Sequence, residues 1–245
     1  MSIHHLKQVV AGVAFLAAAF GAQAAASYGN IAAPPGVYYG AGNVNGDWTI
    51  DTSNGVEVAL RVKDRATLVN VNGSSGVYQV NPGLCNPTCS GGAKANWNYD
   101  FSINLRAGGG VLDLTNVFAV LEVDTNSGVG QTWTTLDVLS NWGDNSYWNG
   151  AKRVGSTPLA GEYGVQQSAN PLFGNSGFGF LPSSGLYDLR LSVYARGVTG
   201  GQGALLAQTR AAVSVPEPGS LALVGLGLIA AASLRKRTQK HTCSI

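Results

Sequence analysis

Trp97-Asn98-Tyr99-Asp100-Phe101-Ser102-Ile103-Asn104-Leu105-Arg106 alternates large apolar side chains with polar ones over ten residues. Successive side chains of an extended strand point to opposite faces, so a period of two predicts a strand with one buried and one polar face. The period recurs upstream, where Val56, Val58, Leu60 and Val62 alternate with Glu57, Arg61 and Lys63. It recurs downstream, where Tyr187, Leu189, Leu191, Val193 and Ala195 alternate with Asp188, Arg190, Ser192, Tyr194 and Arg196. Residues 117–123 form a more continuously apolar run. Further strands are expected at 47–52, 66–71, 76–80, 131–139 and 162–167. The glycine-rich stretch 197–203 separates the strand 186–196 from a returning strand 204–213, which reads as a hairpin. About ten strands with no amphipathic helix between them predict an all-β fold, an antiparallel β-sandwich over residues 25–214.

Composition supports a folded chain. Charged residues are 11% of the 245, against an ordinary ~25%, and 34 residues are Gly. Disordered chains are poor in aromatic residues, whereas this one has five Trp and nine Tyr. The formal charge of +2 comes from the ends, because Lys7, Arg235, Lys236, Arg237 and Lys240 lie there. Residues 25–214 hold ten basic and twelve acidic side chains, with no run of Lys or Arg. That balance argues against a nucleic-acid partner. The three histidines are His4, His5 and His241, so residues 25–214 contain none. Ser-His-Asp and Cys-His catalysis and His-ligated zinc are thereby excluded from the middle of the chain.

The two ends read as targeting segments. Residues 1–24 have a short basic start (His4, His5, Lys7), an apolar run over 9–20 and the small-x-small site Ala22-Gln23-Ala24. This is the pattern of a secretory signal peptide, with a second cleavage register at Ala24-Ala25-Ala26. At the other end, Pro216-Glu217-Pro218 interrupts the last strand, because proline donates no backbone hydrogen bond. Sixteen uncharged residues follow over 219–234. As a helix they span about 24 Å, short of a ~30 Å hydrocarbon core. Arg235-Lys236-Arg237 comes next, as the positive-inside rule expects at the cytoplasmic end of a membrane helix. A single C-terminal transmembrane helix is therefore expected.

The ordered trio of Pro-Glu-Pro, short apolar helix and Arg-rich end resembles the PEP-CTERM sorting family. The resemblance covers 215–238, and residues 239–245 would form a slightly long cytoplasmic tail. It implies processing by an exosortase, a membrane cysteine transpeptidase. Cleavage near Pro216-Glu217-Pro218 would pass the domain from the inner membrane to the cell surface or extracellular matrix. Such proteins belong to Gram-negative bacteria that make exopolysaccharide.

Candidate sites in the middle are few. Export places Cys85 and Cys89 in an oxidising space, so a local disulfide is expected. It closes a short loop and contributes about 2 kcal/mol at most. Cys243 lies beyond the apolar segment. Asn43, Asn45 and Asp47, and Asp124, Asn126 and Gly128, space oxygen donors as calcium loops do, yet neither completes an EF-hand; Asx-rich turns use the same residues. The densest aromatic-polar cluster contains Trp142, Asp144, Tyr147 and Trp148. These four are the candidate ligand contacts, because rings stack on sugars and carboxylates fix hydroxyls. The competing reading folds the rings over the end of the sandwich. Glycosidase chemistry needs a carboxylate pair, and no motif pairs Glu57, Glu122 or Glu162 with another. The expectation is a structural or adhesive exported protein, not an enzyme, with no catalytic set, metal or cofactor, and with exopolysaccharide as a partner. A polysaccharide-binding module is the alternative.

Overall fold

The computed structural model describes residues 26–32, 36–40, 43–73, 75–85, 89, 94–128, 130–140, 142–173 and 183–217. The expected signal peptide, Pro218, the apolar segment, Arg235-Lys236-Arg237 and the tail lie outside the described residues. No helix among the described residues is long and apolar enough to cross a membrane.

Twelve strands among the described residues make two sheets. They are β1 (Ser27–Gly29), β2 (Trp48–Ser53), β3 (Val56–Asp64), β4 (Val77–Gln79), β5 (Trp97–Asn104) and β6 (Val117–Asp124). After these come β7 (Trp133–Asp137), β8 (Asn145–Trp148), β9 (Lys152–Gly155), β10 (Gly164–Ala169), β11 (Gly185–Arg196) and β12 (Gln202–Val215). The larger sheet has the order β1-β2-β3-β5-β10-β8-β9, and the smaller β4-β12-β11-β6-β7. A 3-10 turn, Leu114–Asn116, precedes β6, and Asp113 caps it.

The inward faces pack against each other as the alternation predicts. Val58, Leu60, Val62, Tyr99, Phe101 and Ile103 of the larger sheet share one core with Leu121, Tyr187, Leu189, Leu191 and Val213 of the smaller. The hairpin β11–β12 closes where Gly197 N–H bonds to Gly201 O at 2.7 Å.

Four expectations need correction. The sandwich is not wholly antiparallel, because β4 runs parallel to β12, pairing Val77 with Ala212. Residues 66–71 do not form a strand. Asp64 Oδ1 accepts from the N–H groups of Ala66 and Thr67 and curls the chain into a turn. The chain reaches back to β3 at a single bridge, Asn70 to Lys63, flanked by the Asp64 N–H to Val69 O and Val71 N–H to Val62 O bonds. The aromatic-polar stretch around Trp142, not among the expected strands, includes strand β8 at residues 145–148 between β10 and β9. Finally, the outward polar face of β5 does not meet water. All eight of its residues are buried, Asn98, Asp100, Ser102 and Asn104 included.

The N-terminal segment supplies the cover. Ile31 and Tyr39 pack on Trp48, Ile50 and Ala59 in a second, smaller core outside the larger sheet. Polar side chains of the sheet tie this strap down. Glu57 Oε2 accepts from Ala32 N–H at 2.8 Å. Gln166 accepts from Tyr38 N–H and donates to Gly36 O, both at 2.9 Å. Asn45 bonds both backbone groups of Ile31. Gly164 lies beneath Tyr38, where an added Cβ would sit 2.7 Å from the phenol oxygen. These bonds give the backbone groups of Ile31, Ala32, Gly36 and Tyr38 side-chain partners, as burial of polar groups requires.

Cys85 and Cys89 are joined by a disulfide with a Cα–Cα distance of 5.5 Å. The bridge sits beside the Leu84–Ala95 pairing that leads into β5.

Candidate functional site

The register of the larger sheet decides which polar side chains meet on its outer face. Arg61 of β3 lies opposite Asp100 of β5, which lies opposite Ser168 of β10. One step along, Lys63 lies opposite Asn98. On the far side, Gln166 of β10 lies opposite Ser146 of β8, and Ser146 opposite Val154 of β9. Strand pairing therefore carries a polar stripe across four strands, ending at Val154 of β9.

Its buried end is a cluster around Arg61, which is fully inaccessible, as is Asp100. Arg61 Nε donates to Asp100 Oδ2 at 2.8 Å and Nη2 to the Tyr39 hydroxyl at 2.7 Å. Nη1 donates to Val44 O at 2.6 Å and Gly46 O at 3.1 Å. The guanidinium also lies 4.3 Å from the Trp48 ring centroid. Tyr39 O–H donates to the same carboxylate oxygen. Burial alone would lower the Arg61 pKa, but the Asp100 carboxylate and Tyr39 outweigh it and hold the pKa above its ordinary value. Burial and then the Asp100 charge push the Tyr39 phenol well up. This cluster is a buried ion pair that fastens the strap through Asp100 Oδ2, while Asp100 Oδ1 is buried without a hydrogen-bond partner.

Beside it the face opens into a groove of about 390 Å³. One wall is the strap, at Tyr39 and Asn43; the floor holds Lys63, Asn98, Ser146 and Ser168; the far rim holds Asp144 and Lys152. Lys63 is only 4% exposed. Its ammonium donates to Asn43 Oδ1. Burial lowers its pKa, the Asp100 charge partly restores it, and Arg61 lowers it again. A second hollow of about 360 Å³ adjoins this one and shares Asp144, Gln167 and Ser168 with it; Lys94, Trp142 and Phe173 complete its lining.

The four aromatic-cluster candidates separate. Trp142 is 4% exposed and stacks on Phe101 with ring centroids 5.0 Å apart. Tyr147 is fully buried, and its hydroxyl donates to Leu139 O at 2.6 Å. Neither ring offers an open face: Trp142 packs into the core just before β8, and Tyr147 lies on the core side of β8. Trp148 faces outward but tilts against Tyr38 of the strap, 5.3 Å between centroids. Asp144 alone is exposed, at the rim, with its carboxylate accepting from Gln167 Nε2 at 2.8 Å. Of the groove's lining, sequence singled out Asp144 and Asn43; the floor residues Lys63, Asn98, Ser146 and Ser168 were missed because each stands singly on a different strand.

The other oxygen-rich motifs serve as turns and ties. Asn43 and Asn45 bond the strap. Asp124 Oδ1 accepts from Asn126 and Thr132 N–H groups, and Asn126 Oδ1 from Gly128 N–H. No group of three or more His, Cys, Asp or Glu side chains is placed to hold a metal among the described residues. Glu122 pairs with Arg190 and Glu162 with Arg153.

At the C-terminal end, β12 holds Val215 at 3% exposure, and Pro216 and Glu217 emerge exposed at once. Residues 214–237 match the PEP-CTERM protein-sorting motif. The chain ends in a PEP-CTERM segment. The match begins one residue earlier than the expected 215–238, inside the last strand. It marks an exported protein sorted through an exosortase-type enzyme. The sandwich itself matches no family, and no curated protein or solved structure matches the chain. The PEP-CTERM segment leaves from the smaller sheet, whereas the groove lies on the outer face of the larger. Cleavage at the motif would leave the groove intact.

Proposed function

We propose that the protein is displayed outside the cell as a structural or adhesive matrix component whose groove contacts exopolysaccharide. Before processing it is held at the inner membrane by the apolar segment 219–234. Afterwards the sandwich stands at the cell surface or in the extracellular matrix. The observation that carries the polysaccharide contact is the outer-face groove. It presents Asn98, Ser146 and Ser168 from three neighbouring strands, and such amide and hydroxyl groups match sugar hydroxyls as donors and acceptors. A rigid sheet holds them without a loop having to order first. A binding role without catalysis fits the carboxylates near the groove, since Asp100 is committed to Arg61 and Asp144 to Gln167.

The test is retention. In polysaccharide-producing cells the processed protein should fractionate with the cell surface, and enzymatic removal of the polysaccharide should release most of it to the medium. Equal retention with and without polysaccharide would refute the contact.

A further inference from the structure

We infer that the groove selects a carboxylate-bearing polysaccharide chain over a neutral one, an inference that rests on the polysaccharide contact proposed above. The domain over 25–214 has fewer basic than acidic side chains, ten against twelve. The groove and its adjoining hollow reverse that balance. They gather four cations, Lys63, Arg65, Lys94 and Lys152, around one carboxylate, Asp144.

Like Arg106, Arg196 and Arg210, these four cations take part in no ion pair among the described residues. The three ion pairs among the described residues take Arg61, Arg153 and Arg190. None of the four groove cations has a described carboxylate within ion-pair distance. Lys63 is the costliest, because an ammonium removed from water is unfavourable unless paired, and its one side-chain partner is the neutral Asn43. An arriving carboxylate would supply what is missing, in a recess where charge is screened less than on open surface.

The spread of the cations sets the ligand's shape. Lys63 is on β3 and Lys152 on β9, four strand steps apart in the larger sheet. At about 4.8 Å per step that is roughly 19 Å, longer than one sugar ring. The ligand is therefore an extended chain with repeated negative charge. Three of the four cations are Lys, which recognise anions as point charges. The neutral donors between them fit hydroxyls. A polyuronate has both features.

The experiment is a binding titration on the full chain in non-ionic detergent, with alginate, dextran and duplex DNA as probes. Alginate should bind at low salt and weaken about ten-fold or more when ionic strength rises to roughly 0.5 M, where screening shortens to a few ångströms. Dextran should not bind measurably. The charge-reversed R65E/K152E protein should bind alginate roughly ten-fold more weakly, with its melting temperature unchanged. If that double variant fails to fold, K152Q at the exposed rim should still weaken alginate about two- to three-fold. Dextran binding as tightly as alginate, and competing with it, would overturn charge selection while leaving the polysaccharide contact standing. Binding of no glycan would overturn both. Alginate binding indifferent to R65E/K152E, or to K152Q, would remove the groove as the site, and tighter binding of DNA would overturn the choice of a polysaccharide.

Discussion

Asp100→Ala is expected to lower the unfolding free energy by about 3–5 kcal/mol, because it strands a buried guanidinium without its counter-charge. Arg61 and Asp100 are both fully inaccessible, and four of the five guanidinium N–H groups are already committed to fixed partners. The cation can neither reach water nor find a second carboxylate without moving the strap. For a domain of this size each kcal/mol is worth about 2–4 °C in melting temperature, so a drop on the order of 10 °C should accompany the loss in urea unfolding. The double variant D100A/R61M should regain much of it, because replacing a whole buried pair by apolar atoms is far cheaper than breaking it. A D100A protein within about 1 kcal/mol of the wild type would mean that the pair is solvated and the strap open.

Trp142→Ala is expected to cost about 3–5 kcal/mol, as deletion of a buried ring usually does. The indole is stacked on Phe101 inside the main core, and its removal leaves a cavity between β5 and the entry to β8. Trp148→Ala should cost clearly less, since that ring is only half-buried and leans on Tyr38. Parallel denaturant titrations of the two variants test the division. Similar losses for both would show that Trp142 and Trp148 are not divided between the core and the outer face.

That division illustrates what the sequence could and could not reveal. The alternation of β5 correctly separated Tyr99, Phe101 and Ile103, which face the core, from Asp100 and Ser102, which face away. It could not tell that the outward side is covered. A polar residue suits water and suits a hydrogen-bonding strap equally well, so Arg61, Asp100 and Gln166 look like surface in sequence and are buried in the fold. β8 was hidden for a related reason. Its inward Asn145 is polar, buried and bonded to Val138 O, which breaks the apolar alternation that signals a strand. β4 is three residues long, too short to show that its pairing with β12 is parallel. The groove was illegible because Lys63, Asn98, Ser146 and Ser168 are brought together by register alone, from four strands. The sorting tail was legible because its three parts are contiguous and each works through local composition.

The intact mass of the surface form tests the central claim most directly, that this is an exported sandwich released at its PEP-CTERM segment. Cleavage at either signal register, before Ala25 or before Ser27, would leave β1 whole, since β1 begins at Ser27. Cleavage near Pro216-Glu217-Pro218 would leave β12 whole, since it ends at Val215. The expected mass is that of a chain beginning at Ala25 or Ser27 and lacking everything beyond the Pro-Glu-Pro region. A surface form that still carries residues 221–234 would contradict it.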